Sequence, residues 1–410
     1  MSGTATITHI FSFSGLQADL PTTPVADAVD LGRFEKHVRN RPDQDVQVLP
    51  LGQIDDVVVA STDVDLVLTS PTVQVWTEGT GLVQLHLTHE TSDAAEEVCR
   101  TLSILCHQRD QLTMSGRSLS DWVAELAGIP PTLSLRQDVL QLVSVDRAAL
   151  ARFEGPSHEA LGVLYRDPGG TYDTLGTIRV PSALNRAGKT FLAHGRGVVL
   201  MCGHSRERQN TLRMTGSEQL FALARARRAR ASIEAQLRSA QDHPSLSGPW
   251  KDTAFLTELA DDVRRQRVVL SLDVRAFADG MFMPELIIDD FRASFAASLR
   301  LDEVTDSSVY LVDTLADVVQ SYLEEAKLLA SGLEAARQRR WQLVVGVASG
   351  IAIPIALLLS YFGVSSAITA PGDRSIFDLG FYVGPWTVTA SVTVLVVLLS
   401  LRQHRASRPR

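Results

Sequence analysis

Four aspartates, Asp302, Asp306, Asp313 and Asp317, recur at helical spacing in the second half of the chain. Carboxylates gathered on one helix face are hard oxygen donors, and the chemistry they suit is binding a divalent cation such as Mg2+. A charged stripe opposite an apolar one also needs no ligand, because water solvates it. A second series follows, in which Gln342, Ser349, Ala356 and Gly363 recur at every seventh position with Val345 and Ala352 between them. One face of that helix is therefore small or weakly polar. Such a face either lets membrane helices approach closely or leaves room for a hydrated ion in a pore. The residues alone leave both open.

Other candidates are weaker. "ALNRAGKT", residues 183–190, resembles half a phosphate-binding loop but has Ala183 where the first glycine is required. His86 and His89 lie three apart on an expected strand and so point to opposite faces, which argues against a shared metal. Cys106 and His107 have no second ligand pair at zinc-site spacing. Arg225, Arg227, Arg228 and Arg230 form the densest cationic patch, in a chain of net charge −8; internal pairing or a solvated face accounts for them better than nucleic acid. The 3 cysteines, Cys99, Cys106 and Cys202, read as reduced structural thiols. No spacing suggests a Ser-His-Asp or Cys-His arrangement, and no enzyme is expected.

The elements that must position these residues fall into a mixed α/β part followed by a helical one. Runs such as "ATITHIFSF", "DVQVLPL", "DDVVVAS", "DLVLTS", "TVQVW" and "LVQLHLT" alternate or are β-branched, which predicts short strands. "SDAAEEVCRTLSILCHQRDQL" reads as a helix capped by Ser92. A second strand-rich stretch is expected over about 160–203, with "EALGVLY" as one of its strands. A cytosolic α/β domain is thus expected over 1–215 and a helical region over 216–340. The last helix of that region starts near Pro284 or Arg300, with Leu311, Leu315, Val318, Tyr322, Ala326, Leu329 and Leu333 as its apolar stripe.

Trp341–Gly372 and Leu379–Leu401 contain no charged residue. Each holds about 20 apolar residues, enough to cross a hydrocarbon core of roughly 30 Å. Transmembrane helices are therefore expected over 341–363 and 381–401, joined by an outer loop over 364–380 and followed by a basic tail over 402–410. Arg337, Arg339 and Arg340 before the first span, and Arg402, Arg405, Arg408 and Arg410 after the second, put both termini in the cytoplasm. The expected location is the inner (plasma) membrane, with the lipid bilayer as partner.

An α+β cytosolic domain, a long stalk helix running into "RQRRWQLVVGVASGIAIPIALLLSYFGV", a short outer loop, a second span and a basic tail resemble the CorA-type magnesium transporter superfamily, the two-span "Gly-Met-Asn" channels. The resemblance implies a homopentamer whose first span lines a pore and whose signature residues form the outer constriction. Tyr361 and Gly363 correspond to that signature with Phe362 as an extra residue, and Ser365 stands where the family has its Asn. By the same resemblance, Gly363 and Ser365 would form the selectivity ring, with Gln342, Ser349 and Ala356 below it. Asp373 and Asp378 would gather cations in the loop, and Mg2+ or another divalent cation would be the transported or regulatory ion. The function expected is passage of divalent cations. The alternative is a non-conducting, membrane-anchored sensor or effector with the same architecture, for which the missing Asn speaks. No organic cofactor and no nucleic acid are expected.

Overall fold

The computed structural model describes residues 3–14, 23–39, 46–50, 57–59, 66–68, 71–76, 80–91, 94–107, 112–126, 138–153, 157–167, 178–242, 253–274, 286–365 and 383–406. The chain divides into two compact units, one of Met1–His243 with Glu258–Val319, the other of Pro244–Thr257 with Gln320–Arg410.

In order, the elements are β1 (Gly3–Ser14), β2 (Thr23–Pro24), α1 (Val25–Ala28), α2 (Glu35–Arg39), β3 (Gln47–Pro50), β4 (Val57–Val59), β5 (Leu66–Leu68), β6 (Thr72–Trp76), β7 (Thr80–Thr91) and α3 (Ala94–His107). Next come β8 (Leu112–Met114), β9 (Arg117–Ser118), α4 (Leu119–Leu126), β10 (Val139–Val145), α5 (Leu150–Phe153), α6 (His158–Tyr165), β11 (Phe191–His194) and β12 (Val198–Cys202). The long helices close the chain: α7 (Arg206–Asp242), α8 (Thr253–Val268, running into a π turn at Val269–Val274), α9 (Leu286–Leu299), α10 (Leu301–Ser365) and α11 (Val383–Ala406).

The first unit is built on a sheet in the order β11-β12-β10-β1-β7-β6-β3-β2, with β5 also pairing β7. Its pairings are antiparallel except β10 with β12. Side chains alternate along each strand, so the register assigns every residue to one of two layers. Ile7 and Phe11 of β1, Val83, Leu85 and Leu87 of β7, and Val143 of β10 share one apolar layer with Val98, Leu102 and Leu105 of α3 and Val163 of α6. Burying that layer is the main stabilising term for the unit. The opposite face carries Thr6, Thr8, Gln84, His86, Gln74, Ser144 and Leu142, and α7 lies across it. Gln84 Nε2 donates to Ser217 Oγ at 3.2 Å, and Gln74 Nε2 approaches Met214 Sδ at 3.9 Å. Gly216 belongs to the same helix face; a Cβ there would come within 2.7 Å of Leu140 Cδ2.

Strand-like runs in the first ninety residues all form strands. "EALGVLY" does not: it is most of α6. Ser157 accepts from Ala160 N, and the helix stops at Arg166, whose φ of 58° is left-handed, with Asp167 N bonded to Gly162 O. An N-cap and a Schellman-type stop outweigh the β-branched valine. β10, absent from the sequence reading, inserts between β1 and β12. The chain breaks between α9 and α10 at Arg300, with φ of 56°, so both suggested starts of the last helix are real. Leu301, Thr305, Ser308, Val312, Leu315, Val319 and Ala326 are buried in its first half, whereas Val318, Leu329 and Leu333 are exposed. The stripe is turned relative to the one expected because hydroxyl side chains are buried in it; Thr305 and Ser308 bond back to carbonyls one turn earlier.

The expected pair of transmembrane helices is overturned. Among the described residues no helix is long and apolar enough to cross a membrane. α10 is continuous through the expected first span and carries Gln342, Ser349 and Pro354 there. α11 carries the hydroxyl residues Thr387, Thr389, Ser391 and Thr393 within the expected second span. The assignment to an inner membrane falls with the spans, as does the orientation drawn from flanking arginines. In the second unit α10 and α11 meet closely at Gly350, where a Cβ would lie 2.6 Å from Val396 Cγ1.

Gly197 tests the β11–β12 edge. Its φ is 79°, and a Cβ there would meet Val139 O at 2.7 Å. Gly197→Ala is expected to destabilise the chain by about 2 kcal/mol or more, read from urea unfolding. An unchanged midpoint would contradict this turn geometry.

Candidate functional site

The polar sheet face is not fully covered by α7. Toward the α7 N-terminus it opens into a cavity of about 810 Å3, within the range of small-molecule sites. The floor comes from alternate residues of the central strands: Thr6 and Thr8 of β1, Gln84, His86 and Thr88 of β7, Gln74 of β6, and Ser144 of β10. Register makes this set, since Thr8 pairs with His86 and Leu142, and Thr6 with Thr88 and Ser144. The roof is the first two turns of α7, where Arg206, Gln209, Asn210 and Arg213 recur at three and four residues and so share a face. One side is closed by Asp27 to Asp30, at the end of α1 and just beyond it.

These groups are held in place. Thr8 Oγ1 is 3.1 Å from His86 Nδ1, and Arg213 Nη1 lies 3.4 Å from both ring nitrogens of His86. Burial, and secondarily Arg213, push the His86 pKa down to about 3, so the ring is neutral at pH 7 and one nitrogen can accept. Burial, with Arg206 adding repulsion, lowers Arg213 to about 10, which leaves it charged. Asp27 is paired with Arg39 at 2.7 Å, and Asp30 Oδ1 accepts from Gly32 N at 3.1 Å. Asn210 Nδ2 donates to Asp30 O at 2.8 Å, tying the roof to the side wall. Gln74 is 2% exposed, and its Oε1 has no donor among the described residues.

The residues singled out from sequence lie elsewhere. Asp302, Asp306 and Asp317 are exposed on α10, and Asp313 pairs with Arg267 at 3.3 Å. Among the described residues, no three His, Cys, Asp or Glu side chains come together as a metal site. Gln342, Ser349 and Ala356 are exposed on α10. Gly363 and Ser365 belong to its last turn, and Asp373 and Asp378 lie outside the described residues. "ALNRAGKT" is a turn before β11 in which Asn185 bonds to Pro181 O and Leu192, and no helix follows it to cradle a phosphate. The arginine patch on α7 is engaged internally: Arg227 pairs with Asp138, Arg228 donates to Phe13 O at 3.3 Å, and Arg230 reaches Glu234 at 2.9 Å and Ser307 at 3.1 Å. Cys99 and Cys202 are buried thiols with pKa pushed up to about 12 and about 11, in each case chiefly by burial.

The sequence reading missed the cavity because it began α7 at Gly216, beyond the turns that form the roof. A signal was present: "SRERQN" after the β12 run offers Ser205 as a helix start and two arginines seven residues apart, Arg206 and Arg213.

No family model matches the chain, and no curated protein matches it. Among solved structures it is similar to the full-length CmaX protein, at 14% identity and a TM-score of 0.29, over 73% of this chain and 96% of that one. A superposition that loose assigns no fold.

Three buried histidines set an acid limit. Burial lowers His86 to about 3 and both His194 and His204 to about 4. The unfolded chain protonates these rings near 6.5 while the folded chain does not, so stability is complete above pH 6.5 and is lost as pH falls toward 4. Each ring contributes about 1.4 kcal/mol per pH unit in that window. Urea unfolding of the wild type from pH 7 to 4.5 should show this loss, and His204→Leu should flatten it. A pH-independent midpoint, or an unchanged slope in the variant, would contradict the assignment.

Proposed function

We propose that the chain is a sensor or effector that takes a small polar molecule in the cavity between the sheet and the start of α7, and that it is not a catalyst. One observation carries this: a cavity of about 810 Å3 floored and roofed by polar side chains that rigid elements hold in place. Thr8 and His86 bond to each other in its floor, and Arg213 lies against the same ring, so these side chains hold one another. A route for a response exists within the same unit. The ligand would touch the first turns of α7, whose later turns bond to α10 through Arg230 and Ser307. Occupancy would bias the placement of one continuous helix.

Thermal unfolding of the full chain against inorganic phosphate, citrate, glutamate, glycerol, glucose and adenosine tests the reading. At least one is expected to raise Tm with the logarithmic concentration dependence of a single site. Ser144→Phe, which fills the floor from a strand position that favours aromatics, should fold and lose the shift. No shift from any compound, or a shift that survives Ser144→Phe, would overturn the proposal.

A second reading concerns assembly. Val344, Ala348, Ile351 and Ile355 of α10 and Val388, Val392, Leu395 and Leu399 of α11 are exposed and recur at steps of four, three and four residues. Such stripes are seams for further helices. We infer that a second copy of this chain covers them. Light scattering should give a mass above one chain's 44.7 kDa, reduced by Ile351→Glu with Val392→Glu. A one-chain mass for the wild type would contradict it.

A further inference from the structure

The cavity's charges are asymmetric in a way that names its ligand. Arg206 and Arg213 lie seven residues, two turns, apart on the roof face of α7. Neither makes an ion pair with a carboxylate among the described residues; Arg213's bonds are to the neutral His86 ring. Of the acidic residues in the wall, Asp27 is paired with Arg39, and Asp30 keeps its charge while one of its oxygens accepts from Gly32 N. The roof therefore carries two guanidinium groups that no carboxylate of the described residues meets at ion-pair distance. It lies at the N-terminal end of a helix of 37 residues, whose exposed N–H groups and dipole add to the positive potential.

A second observation adds one requirement. Gln74 Oε1, buried and without a donor among the described residues, belongs to the cavity floor. Its neighbour Gln84 is pinned by Ser217, and its own Nε2 points to Met214, so the amide presents an acceptor. A buried acceptor left unmet costs about 1–3 kcal/mol. An occupant with a hydroxyl or N–H removes that cost.

We propose that the ligand is a small oxyanion that also carries a hydrogen-bond donor. Its oxygens are held by Arg206 and Arg213, and its donor meets Gln74 Oε1. Guanidinium groups recognise phosphate and carboxylate alike through paired N–H donors. Hydrogen phosphate, hydroxy acids and phosphomonoesters with free hydroxyls share the required chemistry. Sulfate has the charge and lacks the donor, and glycerol has the donor and lacks the charge. This assignment rests on the cavity being a ligand site at all, and the experiment separates the two claims.

Isothermal titration calorimetry of the full chain at pH 7 would use inorganic phosphate, citrate, glycerol phosphate, sulfate and glycerol. Phosphate, citrate or glycerol phosphate is expected to bind, sulfate more weakly, and glycerol not measurably. Arg213→Gln should weaken oxyanion binding about tenfold or more, and Arg213→Lys less. Arg206→Gln, at an exposed position where folding is not at risk, should weaken it in the same direction. Gln74→Leu should bring phosphate down to the level of sulfate. Binding of glycerol alone, or of oxyanions with affinity unchanged in both Gln variants, would overturn the oxyanion assignment while leaving the cavity a ligand site. Binding of none of the five would overturn the oxyanion assignment; if Ser144→Phe also changes no response to the wider compound set, the cavity reading falls with it.

Discussion

The pairing of β1 with β7 from Gly3–Thr91 to Ser14–Thr80, with β10 on the other edge of β1, fixes everything else in the first unit. Strand side chains alternate with period two, so this register sends Ile7, Phe11, Leu85, Leu87 and Val143 to one layer and Thr6, Thr8, Gln84, His86 and Ser144 to the other. A slip of one residue would place His86 and Gln84 against α3 and expose an apolar row. The apolar layer holds the register, and the polar layer is what that register makes available.

α7 depends on the same choice. Its middle turns can lie on the sheet because Gly216 gives Leu140 room and Ser217 meets the Gln84 amide. Its first turns lie above smaller polar side chains, and space remains there. A buried polar face without such space would need every group paired within the protein. Here Gln74 Oε1 has no protein donor among the described residues, and Arg213 bonds to the neutral His86 ring. The same cavity thus contains a buried acceptor and a cation that no carboxylate of the described residues meets at ion-pair distance, each of which a ligand can satisfy.

Much of the sheet was legible in the residues. The β-branched and alternating runs up to "LVQLHLT" form strands because packing on a pleated, half-buried surface is what that pattern serves. "EALGVLY" was misread because a short buried apolar run looks alike in both states, and its helix is decided by Ser157 and Arg166 at its ends. The continuous α10 was readable from an unbroken pattern. The membrane spans read from hydropathy are not borne out: among the described residues no helix is long and apolar enough to cross a membrane. The candidate site was illegible for a different reason: its residues come from β1, β6, β7, β10 and the start of α7, and only the three-dimensional register brings Thr8, Gln74, His86 and Arg213 together. The spacing of His86 and His89 argues only against a shared metal, and the neighbours of His86, Thr8 and Arg213, are distant in sequence.

Amide hydrogen exchange across α7, with and without saturating inorganic phosphate or citrate, tests the central claim most directly. The account predicts slower exchange in the first two turns, residues 206–213, and at strand amides beneath them, with the α3 and α6 layer unchanged. Unaltered exchange at 206–213, or protection confined to a surface away from β1, β6 and β7, would contradict it.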